Sequence, residues 1–229
     1  MTSSGTLFFD DTCAPVECGR AAARRAQILD AAAECFRSCG FHGASIASIS
    51  QLAGMSAGHI YHYFENKEAI IAAIVQRDLE RIVTLWAELR SSHDIRETMV
   101  ALSSEGVFKT MDTSAAGLNI EIIAEAARNP EVARIVRAAD CCCMASLIQT
   151  LRIARQEGGK HDDEATLVDI AEITAAMFEG LMVRAIRNPT LDHRRMAAMM
   201  QRVMRQIIAS PDWEATPQEA PPPLHTHRK

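Results

Sequence analysis

The chain has 229 residues, enough for one or two domains with a real core, and 48% of them are hydrophobic, which excludes an intrinsically disordered protein. Aromatic residues make up only 5%, while Ala, Met, Ile and Leu are plentiful, a mix that favours helices over sheets. The net charge of −5 excludes a general basic coat for nucleic acid: residues 1–19 carry −3, residues 20–77 carry +2 with three histidines besides, and residues 78–229 carry −4.

No stretch of eighteen uncharged apolar residues occurs, so no membrane span is expected. Asp10, Asp11 and Glu17 with no long apolar run argue against a signal peptide. The seven cysteines (Cys13, Cys18, Cys35, Cys39, Cys141, Cys142 and Cys143) are odd in number and lack the spacing of a disulfide framework. A cytoplasmic location with free thiols is the expectation.

Taken in chain order, residues 1–19 have no period and read as a flexible N-terminal arm. A helix begins near Arg20, with Ile28, Ala32, Cys35, Phe36 and Cys39 on one apolar stripe and Gly40 as its stop. Ser45 caps a short second helix whose buried face is Ile46, Ile49, Leu52 and Ala53, and Gly54 ends it. Ser56 caps a third helix two residues later, which gives the helix-turn-helix plan. Asn66 caps a long fourth helix that carries Ile70, Ile74, Ile82, Leu85, Trp86 and Leu89 and runs to about Arg90.

Two further helices are expected over 94–111 and 115–128, and one from Asn129-Pro130 to about Gln156. The next is capped by Asp162 or Asp163 and ends at Asn188-Pro189. Thr190 is expected to cap the last, which bears Met196, Met199, Met200, Val203, Met204 and Ile207. The composition then turns to Pro, Glu and Thr, so residues 211–229 read as a disordered tail. The fold class is all-α: a three-helix domain with a helix-turn-helix over 20–66, followed by a second helical domain over 67–210.

The third helix points to function. At 100° per residue, Ile60 and Phe64 face inward and Tyr61 lies at the inner margin, while Gly58, His59, His62 and Tyr63 face outward. Imidazoles and a phenol can hydrogen-bond to base edges and phosphates, and glycine lets the backbone approach a duplex closely. Free N–H groups near the caps Ser56 and Asn66 can bind phosphate, and Lys67 places a positive charge against the helix dipole, which suits an anionic neighbour. A lysine there can also be merely solvated and the histidines merely exposed; the combination favours DNA.

Residues 25–71 resemble the N-terminal domain of the TetR (tetracycline-repressor-like) family of bacterial regulators. The resemblance is carried by Ile28 to Phe36 with Gly40-Phe41, Ser45 to Ile49, Ala53-Gly54-Met55-Ser56, and above all the run from Gly58 to Glu68. His59 departs from a common Thr and Ser50 from a usual Ala. The resemblance implies DNA contacts by Tyr61, His62, Tyr63 and Lys67, with Ser45, Ser56, Gly58 and His59 as further contacts. It also implies a homodimer whose two recognition helices read a pseudo-palindromic operator, with half-sites roughly 34 Å or a multiple apart.

The two C-terminal helices would form that dimer. Over 164–187, Leu167, Ile170, Ile173, Met177, Leu181 and Ala185 make one apolar face and Ala171, Ala175, Phe178 and Met182 another, as a four-helix bundle needs. The resemblance also implies that 67–210 is an effector-binding and dimerisation domain that holds a small-molecule effector among its middle helices, with Trp86, Phe108, Met111, Asn119, Glu125, Met144, Gln149, Met177 and Phe178 as candidates. Glu125, if it faced that cavity, would imply a cationic effector. No metal and no cofactor are expected: consecutive helical residues diverge by about 100°, so Cys141, Cys142 and Cys143 cannot aim at one ion and read first as packing thiols, with a redox role second.

Together these readings make a ligand-responsive regulator, most simply a repressor released from DNA by its effector. The alternatives are an all-helical enzyme or carrier with an incidental helix-turn-helix, and a DNA-binding protein without an effector. Against an enzyme, there is no Gly-rich phosphate loop, no H-E-x-x-H and no nucleophile elbow.

Overall fold

The computed structural model describes residues 15–210; the expected arm up to residue 14 and the expected tail over 211–229 lie outside the described residues. Among the described residues every regular element is a helix: α1 (Pro15–Gly43), α2 (Ile46–Ala53), α3 (Ala57–Tyr63), α4 (Lys67–Arg90), α5 (Ile95–Thr110), α6 (Thr113–Ala126), α7 (Pro130–Glu157), α8 (Glu164–Arg187) and α9 (His193–Ala209). The first begins five residues before the expected Arg20. At Gly40 the backbone leaves helical geometry at φ 70°, so the glycine breaks the helix as its position predicts, and residues 41–43 form a further turn.

The caps explain most boundaries. Asn66 accepts from the Ala69 amide at 2.7 Å. Asn129 accepts from Glu131 and Val132 at 3.1 and 3.4 Å, with Pro130 at the first helical position of α7. Asp163 caps α8. The expected Thr190 cap is a correction: the Thr190 hydroxyl bonds to Asn188, and Asp192 caps α9 by accepting from both Arg194 and Arg195 amides. A carboxylate aimed at two free amides outcompetes a hydroxyl two residues too early.

The chain divides into two compact units. The described part of the first comprises residues 15–78 and 117–137, so it reaches beyond the expected 20–66 to include the start of α4, most of α6 and the start of α7. Its core joins Ile28, Phe36, Ile49, Ile60, Ile70 and Ile74 with Leu118, Ile122 and Val132 from the later segment. Leu52 is a correction: it stands 54% exposed, because Ile49 and Ala53 already fill the inner face of the short α2.

The second unit comprises residues 79–116 and the described residues from 138 on. Its core is built from Leu89, Met99, Val107, Leu147, Leu151, Leu167, Met200 and Met204, among others. Inside it lies a fully buried ion pair. Arg155 near the end of α7 donates through Nε and Nη2 to the two oxygens of Asp162, at 2.5 and 2.6 Å. Nη1 of the same guanidinium donates to the Ile207 carbonyl of α9. The Arg155 hydrogen bonds hold the Asp162 carboxyl below the usual carboxylate range, against the opposing effect of burial. Gly106 is also fixed by packing, since a Cβ there would lie 2.9 Å from the Phe178 ring.

Candidate nucleic-acid interface

The α2–turn–α3 segment is held by reciprocal local bonds. Ser45 Oγ accepts from the Ser48 amide at 3.0 Å while Ser48 Oγ accepts from the Ser45 amide at 2.9 Å, a complete capping box. Gly54 takes the left-handed conformation at φ 63°, and the Met55 amide closes the turn on the Ser50 carbonyl at 3.0 Å. The Ala53 carbonyl accepts from Gln27 of α1 at 2.8 Å, which ties the turn to the first helix. Ser56 Oγ then accepts from the His59 amide at 3.2 Å and starts α3.

With its start fixed, α3 is anchored from behind by Ile60 and Phe64, both buried in the core of the first unit. Gly58, His59, Tyr61 and His62 are exposed. Tyr61 is 56% exposed, not at the inner margin, because the seven-residue helix has no neighbour on that side to cover it. Tyr63 is half-buried and packs against the core edge; the His59 and His62 rings contact it at 5.4 and 5.3 Å between centroids. The exposed surface of α3 is thus a cluster of two imidazoles and two phenols with a gap at Gly58, where nothing lies within 4 Å of a notional Cβ.

Lys67 is used in a way its position alone does not reveal. Its ammonium donates to the Phe41 carbonyl at 2.8 Å and the Ala44 carbonyl at 2.9 Å, and sits 4.5 Å from the Phe41 ring centroid. It locks the α1–α2 connection to the start of α4, and one of its three N–H donors remains for an anion. From the opposite side, Glu121 of α6 accepts from the Phe41 amide at 3.4 Å. Arg25, not singled out by the sequence pattern, lies on exposed α1 with its guanidinium 5.1 Å from the Phe64 ring centroid, beside the end of α3. The signal for it was available: a cation three residues before Ile28, at the flank of the buried stripe.

The nine effector candidates are divided between the two units. Asn119 and Glu125 belong to the first unit and the other seven to the second. Glu125 is a correction: the residue is 2% exposed, and its carboxylate accepts from Arg128 Nη2 at 3.4 Å and lies 3.3 Å from His42 Nδ1, so it is already partnered within its own unit and gives no support to a cationic effector. Asn119 and Gln149 are exposed, Phe108 is largely exposed with its ring edge-on to His193, and Met111 is buried. Trp86, Met144, Met177 and Phe178 all pack, half-buried, against the core of the second unit. A hollow of about 310 Å³ in that unit is lined by Asp94, Arg96, Glu97, Val100, Arg205 and Ile208, and by none of the nine.

Cys141 and Cys142 are exposed and Cys143 is half-buried. Burial pushes the Cys143 thiol up, away from the reactive thiolate. Among the described residues no group of three or more His, Cys, Asp or Glu side chains could hold a metal ion, and no helix is long and apolar enough to cross a membrane.

The comparison with known proteins fits this geometry. The profile for bacterial regulatory proteins of the tetR family matches residues 28–74, and that for the C-terminal part of BetI-type transcriptional repressors matches residues 96–209. The chain belongs to the TetR family of DNA-binding transcriptional regulators. It is 35% identical over 138 residues to the regulator UidR of Escherichia coli K12, covering 58% of this chain and 67% of that one. It is 26% identical over 189 residues to the transcriptional repressor Rv1474c of Mycobacterium tuberculosis, covering 82% and 95%. Among solved structures, Salmonella enterica GusR is similar with a TM-score of 0.66 and 28% identity, covering 81% of this chain and 95% of that one. FadR of Bacillus subtilis, in complex with stearoyl-CoA, shares the fold with a TM-score of 0.66 and 18% identity, covering 78% and 96%.

Proposed function

We propose that the chain is a homodimeric repressor that a small-molecule effector releases from a pseudo-palindromic operator. The observation that carries this reading is the two-sided α3: Ile60 and Phe64 are sunk in the core while Gly58, His59, Tyr61 and His62 are open to a partner. A helix of that kind enters a major groove, with the imidazoles and Tyr61 placed for base edges and phosphates, and with Tyr63, Ser45, Ser56 and the remaining Lys67 donor at the margins. Arg25 adds a phosphate anchor. The relatives named regulators and repressors support the repressor role.

The dimer reading rests on α8 and α9. Ile173 is 61% exposed and Met199 53%, and Ala176 and Gly180 leave the α8 surface beside Ile173 low enough for a close helix approach. Apolar surface of this kind wants a second copy. The effector reading is supported by the fold shared with FadR, a protein solved with a ligand.

The test is a mobility-shift titration with a fragment of the gene's own promoter region. His59→Ala with His62→Ala removes two exposed side chains and no core contact. Affinity should fall at least tenfold while the melting curve and the dimer mass stay unchanged, since each base contact is worth about 1–3 kcal/mol. Undiminished binding by an intact dimer of this variant would overturn the assignment. Ile173→Asp with Met199→Asp should give a monomer by sedimentation.

A further inference from the structure

We propose that the effector is a small organic acid and that Arg90 of α4 receives its anionic group. This rests on the reading of the chain as an effector-responsive regulator and adds the chemical class of the effector.

Arg90 is half-buried at the end of α4 in the second unit. Among the described residues its hydrogen bonds leave one nitrogen: Nη1 donates to Ser146 Oγ at 3.0 Å, to the Ser146 carbonyl at 3.3 Å and to Thr150 Oγ1 at 3.0 Å. Ser146 and Thr150 are themselves buried on α7. These partners are neutral, and among the described residues no carboxylate lies within ion-pair distance of Arg90. A guanidinium drawn partly out of water keeps a strong demand for an anion. Anchored through Nη1, it leaves the Nε–Nη2 edge, the side that matches a carboxylate in bidentate geometry.

A second observation points to the same place. Trp86 lies one turn before Arg90, so the two side chains share a face of α4. Its indole Nε1 is buried and has no hydrogen-bond partner among the described residues. A buried N–H without an acceptor costs about 1–3 kcal/mol, so its retention asks for an acceptor that the chain does not supply. An anion on the Arg90 edge whose body lies along Trp86 provides both: charge for the guanidinium and one of its oxygens as acceptor for the indole. Trp86 itself packs half-buried against the core of the second unit, so the group that lies along it carries an apolar body beside its charge.

The experiment uses the full chain and two dyes with one ring system, 8-anilinonaphthalene-1-sulfonate and its uncharged counterpart N-phenyl-1-naphthylamine, each titrated by fluorescence. The wild type should prefer the sulfonate by roughly tenfold, the worth of one charge-assisted hydrogen bond. Arg90→Met should erase that preference and leave the neutral dye unaffected; Arg90→Lys should keep part of it. Trp86→Phe, which holds the ring and removes the N–H, should weaken the sulfonate alone. Equal affinity of the wild type for both dyes, binding of neither, or a preference that survives Arg90→Met would overturn the proposal. The operator shift, run beside it without dye, reports separately: its loss in the wild type defeats the repressor reading, and its presence with no anion preference defeats only the organic-acid assignment. If Arg90→Met melts early, Trp86→Phe and Arg90→Lys decide the matter.

Discussion

The α2–α3 segment and the interior of the second unit treat polar side chains in opposite ways. Around α2 and α3 the backbone consumes them: Ser45, Ser48, Ser56, Gln27 and Lys67 each satisfy an amide or a carbonyl. What remains for a partner is the short exposed row on α3. In the second unit the buried polar atoms Trp86 Nε1, Ser92 Oγ and Arg96 Nε have no hydrogen-bond partner among the described residues. The first arrangement fixes a shape, and the second keeps buried polar groups whose desolvation the chain itself does not offset.

Four changes break or sharpen this contrast. The largest effect belongs to Arg155→Met, which leaves Asp162 buried without a cation. It should cost about 3–5 kcal/mol in urea unfolding, and Arg155→Met with Asp162→Leu should recover most of it. Next comes Lys67→Met, which frees the Phe41 and Ala44 carbonyls. A loss of about 1.5–3 kcal/mol is expected, together with weaker operator binding, because the lock and the reader share the α1–α2 connection. A melt that stays put would show that water replaces the ammonium without loss.

Smaller and more discriminating is a pair of glycine substitutions. Gly54→Ala forces a Cβ into the left-handed turn and should cost about 1 kcal/mol. Gly58→Ala meets open space and improves helix propensity, so stability should hold or rise by up to about 1 kcal/mol while operator affinity falls. The smallest effect is on pH. The Asp162 carboxyl titrates below its unfolded value, so its contribution is complete above the ordinary Asp range, about pH 4, and is lost as pH falls through the lowered value. The wild type should lose stability over that acid window, and the Arg155→Met, Asp162→Leu chain should lack that component of the slope.

The DNA-binding segment was legible because its signals are local. Ser45, Gly54, Ser56 and Asn66 act within three residues of themselves, and the stripe Ile28 to Phe36 follows one period. Where a boundary was misplaced, two local groups competed, as Thr190 and Asp192 did for α9. The placement of Glu125 was not legible, since it depends on α6 joining the first unit through contacts such as Phe41–Glu121, 80 residues apart in the chain. Lys67 was visible as a cation at a helix start, but its carbonyl partners lie 23 and 26 residues back. Arg90 looked like any cation closing a helix; only the pairing with Ser146 and Thr150 sets it apart.

Glu125 carries one more consequence. Its carboxylate sits inside the first unit, yet the two side chains that face it, His42 and the cationic Arg128, stand in solvent. Dissolved ions reach those partners directly and weaken their hold on the carboxylate. Ionic strength therefore acts on the protein as well as on the DNA, and the steepness with which salt dissociates the complex will count more ions than the phosphates it touches.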